Sequence, residues 1–164
     1  MASGTHKLTD TTGIQIRDAF VVIVKTEWNE HVVSVLEQGC IEVLKENNIR
    51  WKVIEVPGAF EIPFAVKHCW QNSGLKKPAA FITLGCVIRG DTPHFDYVCE
   101  GVTQGVMRLN LHLPVPVIFG VLTVNDQQQA DERIGGKHGH KGKECAAAAI
   151  KMIALAQSSK KPDL

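Results

Sequence analysis

His94 has the most to offer chemistry, because of what precedes it. The stretch Leu84-Gly85-Cys86-Val87-Ile88-Arg89-Gly90-Asp91-Thr92-Pro93-His94 starts in an apolar run and passes through a glycine-containing turn. Thr92-Pro93 then predicts a helix start, with Thr92 at the cap and Pro93 at the first helical position. A helix N-terminus offers unpaired N–H groups and a partial positive charge, which suit a phosphate. Histidine in the first turn adds a side chain of the type that exchanges protons near neutral pH. An anion cradle beside an imidazole points to chemistry on a phosphorylated small molecule.

Three further stretches carry residues of this kind. Trp28-Asn29 offers an aromatic that either packs into a core or interface or stacks on a flat heterocycle. In Val56-Pro57-Gly58-Ala59-Phe60-Glu61-Ile62-Pro63, Gly58 allows a tight turn, and the amides of Ala59, Phe60 and Glu61 would be free at a helix start. Glu61 is there either as a first-turn partner of the helix dipole or as an acceptor for a polyol. Around the loop Gly135 to Gly142, Arg133 and Lys141 are either solvated charges or anion ligands, Arg133 through its planar fork. This loop lacks the G-x-x-x-x-G-K-[ST] pattern, because neither Lys141 nor Lys143 is followed by Ser or Thr, and that excludes a P-loop NTPase. His138-x-His140 has metal-like spacing, but a glycine-rich loop fixes two imidazoles poorly. The other histidines, His6, His31, His68 and His112, read with these two as surface or satisfied residues.

The elements that must position these residues alternate. A continuous apolar run predicts a strand buried on both faces at Ala19–Val24, an apolar run predicts a buried strand at Ala79–Val87, and Trp51–Val56, closed by Pro57-Gly58, and Val115–Val121 read as the second and fourth strands. Apolar residues at three- and four-residue spacing predict a helix through Val32 to Leu44, between Asn29 as cap and Asn47-Asn48 as stop. Further helices are predicted at about 60–72, 93–112 and 143–157, with a short one at about 127–133. Strands alternating with helices imply a parallel sheet, here an α/β three-layer α-β-α sandwich of four strands, flavodoxin-like. Ligands of such sheets bind beyond the carboxyl ends of the strands. Those ends are read at Thr26–Asn29, Val56–Glu61, Val87–His94 and Phe119–Asp126, and the unusual residues fall in these same stretches.

At 164 residues the chain reads as a single domain, with about 1–16 as an extended or mobile segment, or one that docks on a neighbour. With 18 basic and 17 acidic residues, no field for non-specific nucleic-acid binding is implied. Lys160-Lys161 reads as a frayed, solvated end. Cys40, Cys69, Cys86, Cys99 and Cys145 make an odd count without C-x-x-C spacing, which argues against a disulfide framework and for a reducing compartment. No secretory signal and no apolar run of ~18 residues is visible, so a soluble cytoplasmic protein without a membrane partner is expected.

Taken together, the stretches Val56 to Pro63, Gly85 to Val98, Pro116 to Gly120, Asp131-Glu132-Arg133 and Lys141-Gly142 resemble the 6,7-dimethyl-8-ribityllumazine synthase family of riboflavin biosynthesis, over about 19–157. The resemblance implies a transferase that joins 5-amino-6-ribitylaminouracil to 3,4-dihydroxy-2-butanone 4-phosphate, with loss of phosphate and water and no metal or organic cofactor. It implies that Trp28 stacks on the pyrimidine beside Asn29, that Ala59, Phe60 and Glu61 hold the ribityl chain, and that the backbone of Val87 and Ile88 meets the pyrimidine edge. Asp91 and Thr92 would form the phosphate turn and His94 would transfer protons. Phe119, Lys141 and Arg133 would come from the neighbouring subunit, Arg133 as phosphate ligand. The implied homo-oligomer is a pentamer with sites between subunits, which can close into a sixty-subunit icosahedral shell, with riboflavin synthase as a partner. The chain departs from the family at Trp28, usually Phe, at Asp91, usually a small residue, and at Asn125-Asp126, more commonly Glu-Asn. A flavin-binding module or a shell without catalysis are the alternatives.

Overall fold

Four strands form one sheet, and each alternates its side chains between the sheet's two faces. The computed structural model describes residues 8–158; His6 and Lys160-Lys161 lie outside them. The strands are Phe20–Thr26 (β1), Arg50–Val56 (β2), Ala80–Ile88 (β3) and Val117–Val124 (β4), all parallel, in the order β2-β1-β3-β4. Val21, Ile23, Ile82, Leu84, Leu122 and Val124 point into one core cluster, and Val22, Val24, Phe81, Val117 and Val121 into the other. This two-sided burial of β1 and β3 is what their continuous apolar runs require, whereas the edge strand β2 exposes Arg50, Lys52 and Glu55.

Helices Glu30–Glu46 (α1) and Lys141–Ser158 (α5) cover the first face. The second is covered by a 3-10 turn at Ala59–Glu61, by Ile62–Asn72 (α2) and by His94–His112 (α3). The fold is therefore the three-layer α/β sandwich with a flavodoxin-like parallel sheet. A short helix Gln127–Asp131 (α4) is capped by Asp126, whose carboxylate accepts from the Gln129 N–H at 2.9 Å.

Three features differ from the sequence reading. β4 starts at Val117 and runs to Val124, beyond the predicted end at Val121, because its ladder with β3 continues to Ile88–Val124. The loop expected from Gly135 to Gly142 contains a small antiparallel hairpin, Ile134–Gly136 (β5) with Gly139–His140 (β6), and α5 begins at once at Lys141. Finally, Pro93 and not Thr92 occupies the N-cap of α3. The Pro93 carbonyl takes the first helical bond, from Asp96 N–H at 3.0 Å, so His94 is the first helical residue. Asn47 and Asn48 do stop α1, with Asn48 in the left-handed region at φ 55°.

Of the N-terminal stretch, residues 8–17 are tied to the same chain. Lys151 donates to Leu8 O, Thr11 to Asn47 Oδ1, and the Arg17 N–H to Gln157 Oε1, while Ile14 and Ile16 pack on the core. All five cysteines are free thiols. Burial pushes the Cys86 and Cys145 thiols up to about 11, which suits packing and not nucleophilic chemistry.

Candidate active site

The loops after β1 and β2 continue the pairing of their strands. The Glu27 N–H donates to Val56 O at 2.9 Å and the Trp28 N–H to Pro57 O at 3.3 Å. This brings Trp28 to the 3-10 turn that carries Phe60 and Glu61. A Cβ on Gly58 would lie 3.1 Å from Glu61 Oε2 and 3.6 Å from Trp28 Cδ1, so glycine lets an aromatic plane and a carboxylate share one corner. Trp28 is 72% exposed and Phe60 62%, whereas Ala59 is buried beneath them. Two large rings left in water at the strand ends, beside an acceptor, suit a flat heterocycle with a hydroxylated tail.

Asn29 holds the left-handed conformation, φ 57° and ψ 42°, at the N-cap of α1. It does not cap that helix with its side chain, as the sequence reading expected. Instead Asn29 Nδ2 donates to Cys86 O at 2.8 Å and pins the end of β1 to β3. The β1 ladder on β3 ends at Leu84, while the β4 ladder runs on to Ile88. Backbone groups alternate sides along a strand, so Ile88 N–H and C=O face the same way as Cys86 O, into the gap beyond β1. Those groups have no strand partner there and are available to the edge of a ligand. Replacing Asn29 by alanine removes the pin and puts an unsuited residue at φ 57°. We expect a stability loss of about 1–3 kcal/mol in thermal unfolding and weaker binding of the heterocyclic substrate.

The turn Gly90 to Pro93 and His94 itself are exposed. Asp96 N–H is already bonded to Pro93 O, which leaves the amides of Thr92, His94 and Phe95 at the helix start for an anion. The Asp91 carboxylate is exposed in this turn.

Arg133 and Lys141 stand across the sheet. Arg133 forks Glu144, with Nη1 to Oε1 at 3.0 Å and Nη2 to Oε2 at 2.7 Å, and Nη1 also donates to His138 O. Three of the five guanidinium hydrogens are thereby used. The remaining two, on Nε and Nη2, lie along one edge and can still hold a phosphate bidentately. The Lys141 N–H donates to Arg133 O at 2.8 Å, which fixes the two cations to each other through the backbone. His138 Nε2 lies 3.2 Å from Glu132 Oε2. His140, read from sequence as surface or satisfied, is a correction. Its Nδ1 is buried with no partner among the described residues, and burial, then Lys143, pushes its imidazole below the ordinary value. Among the described residues no three His, Cys, Asp or Glu side chains are placed to share a metal.

The chain thus does not bring all its candidate residues together. Trp28, Ala59, Phe60, Glu61 and the helix bearing His94 belong to the α2/α3 face, whereas Arg133 and Lys141 belong to the α1/α5 face. Phe119, expected at the carboxyl end of the fourth strand, instead lies within the edge strand β4, whose ladder with β3 runs on to Val124, and is half-buried against the α2/α3 cluster. A shallow, open depression lined by Phe20, Arg50, Trp51 and Lys76 lies at the opposite, amino ends of β1 and β2.

A family model described as 6,7-dimethyl-8-ribityllumazine synthase matches residues 18–157. The chain is 48% identical over 134 residues to the 6,7-dimethyl-8-ribityllumazine synthase of Bacteroides fragilis, covering 80% of this chain and 92% of that protein. With the enzyme of that name from Porphyromonas gingivalis it shares 44% over 161 residues, 94% of this chain and 98% of the other. With that from Phocaeicola vulgatus it shares 41% over 170 residues, 100% and 99%. The chain belongs to the 6,7-dimethyl-8-ribityllumazine synthase family.

Lumazine synthases are transferases of riboflavin biosynthesis, and this chain is an enzyme of that pathway. The family acts on small molecules and assembles from copies of one chain. Against that background, sequence reasoning missed Glu144, which aims Arg133, because the pair spans a hairpin that read as a loop. It also missed that Asn29 serves as a pin. Among the described residues no helix is long and apolar enough to cross a membrane.

Proposed function

We propose that the chain condenses 5-amino-6-ribitylaminouracil with 3,4-dihydroxy-2-butanone 4-phosphate at a site completed by a neighbouring copy. The observation that carries this reading is that Arg133 and Lys141 sit on the opposite face of the sheet from Phe60, Glu61 and the helix bearing His94. Trp28 stacks on the pyrimidine, while the Val87–Ile88 backbone and Asn29 border its edge. Ala59, Phe60 and Glu61 take the ribityl chain, with Glu61 accepting from its hydroxyls. Thr92 and the amide of Asp91 receive the phosphate, the Asp91 carboxylate facing away from it. Phe119, Lys141 and Arg133 belong to the next subunit's half.

The reaction fits these groups. The pyrimidine's primary amine adds to the ketone and water leaves, giving an imine. Phosphate then departs, the enol left behind tautomerises to a carbonyl, and the ribityl-bearing nitrogen attacks that carbonyl and closes the ring with loss of a second water. Each step moves a proton, which His94 can carry. The departing phosphate develops charge that Arg133 and the turn amides stabilise. Holding two substrates in register supplies much of the rest, roughly 7–11 kcal/mol at most. His94→Ala is therefore expected to lower kcat by about 10²-fold without abolishing turnover.

We further read residues 1–164 as one such unit, in the cytoplasm, forming pentamers that close into a sixty-subunit shell and pair with riboflavin synthase. The test of sharing between copies is a hybrid. His94→Ala and Arg133→Ala chains, refolded together in equal amounts, are expected to regain about one intact site in four, because each site takes its two halves from different chains. A mixture no more active than the mean of its parents would contradict shared sites.

A further inference from the structure

The phosphate turn has a brace that none of the residues assigned above explains. Arg89, the last residue before the turn, reaches around it. Its Nε donates to Asn125 Oδ1 at 3.1 Å and its Nη2 to Asp96 Oδ1 at 3.1 Å. Its guanidinium carbon lies 4.1 Å from the centre of the Phe95 ring, in cation–π contact. Its own N–H donates to Val124 O at 2.9 Å, the last rung linking β3 to β4. One side chain thus joins three pieces of backbone: the strand end before the turn, the first helical turn after it, and the loop after β4. Gly90 to His94 is the segment enclosed by those contacts. A short exposed turn with a glycine has little to hold its amides in register otherwise, and amides that must converge on one anion gain from being held in advance.

We propose that Arg89 is a positioning residue for the leaving phosphate, acting through Asp96, Phe95 and Asn125 to fix the turn amides and His94. The inference rests on the placement of the phosphate at this turn. Its planar fork is suited to the role because two divergent acceptors are met by adjacent hydrogens of one rigid group, which lysine cannot reproduce. Asn125, one of the positions where the chain departs from the family's commoner residue, gains a use as the acceptor on the β4 side.

The test compares Arg89→Ala, Asp96→Asn and the double variant with the wild type, using steady-state kinetics for each substrate and inorganic phosphate as competing inhibitor. Positioning predicts that Arg89→Ala raises KM for the phosphorylated ketone about tenfold, within the ~10²-fold that a ~1 Å misplacement can cost. The phosphate inhibition constant should rise in parallel, with KM for the pyrimidine within about twofold. Asp96→Asn should show the same pattern in weaker form, and the double variant should be no worse than Arg89→Ala, because both changes cut one brace. The inference is overturned if Arg89→Ala leaves both phosphate readouts unchanged. It is equally overturned if Asp96→Asn leaves them unchanged or tightens binding, which would make Arg89 a direct phosphate ligand. Arg133→Ala run alongside separates the two levels. If it weakens phosphate binding and Arg89→Ala does not, the phosphate assignment stands and the brace falls; if neither does, both fall.

Discussion

Gly142→Ala is expected to cost about 3 kcal/mol of stability or more, the largest loss from adding a single methyl at any position considered above. A Cβ at Gly142 would lie 2.0 Å from Leu36 O, 2.8 Å from Leu36 C and 3.0 Å from Leu36 Cα. These are backbone atoms in the middle of α1, so no side chain can turn aside to make room. The helices must part instead, and between them lie Cys145, Ala146, Ala149 and Ile150 of α5 against Val33, Leu36 and Cys40 of α1. Close packing of that kind gives little on one side without losing contact along the whole seam. For a chain of this size the melting temperature should fall by roughly 6–12 °C. The change also reaches the site, because Gly142 follows Lys141 at the start of α5. A melting temperature within about 2 °C of wild type would show that the α1–α5 seam is looser than the contacts imply.

Arg133→Ala should give the second largest effect, and on binding more than on folding. A charge-assisted hydrogen bond is worth about 1.5–3 kcal/mol, so KM for the phosphorylated ketone should rise roughly 10- to 100-fold. The pyrimidine's KM should change little. A stability cost accompanies it, because the Glu144 side chain is only 10% exposed and loses its partner. Discounted for the partial exposure of Arg133, that cost is about 2 kcal/mol. Arg133→Lys keeps the charge but cannot hold Glu144 and a phosphate along two edges at once, so it should recover stability better than KM. An unchanged KM in Arg133→Ala would remove Arg133 from the phosphate site.

Much of the fold was legible in the sequence because burial on both faces leaves a continuous apolar run, as at Phe20 to Val24, and burial on one face leaves helical spacing, as at Val32 to Leu44. Boundaries were less legible. Thr92 is a good cap by residue type, yet the first helical acceptor is the Pro93 carbonyl, and residue preference alone does not decide between neighbours. The β5–β6 hairpin was hidden because Gly135, Gly136 and Gly139 read as loop, and two of them do take positive φ. At the site, the convergence of Trp28 and Glu61 on Gly58 could be anticipated from adjacent strand ends. The Asn29–Cys86, Arg133–Glu144 and Arg89–Asn125 contacts could not, since each joins residues set side by side only by tertiary structure. Their types carry no signal of which partner each will meet.

The central claim is that this chain makes 6,7-dimethyl-8-ribityllumazine with its own residues. The most direct measurement mixes the wild-type protein with the two substrates and follows the lumazine's absorbance and fluorescence together with released phosphate. Lumazine is expected to form well above the uncatalysed rate, with one phosphate released for each molecule formed. Lumazine formed no faster than in the absence of protein would contradict it.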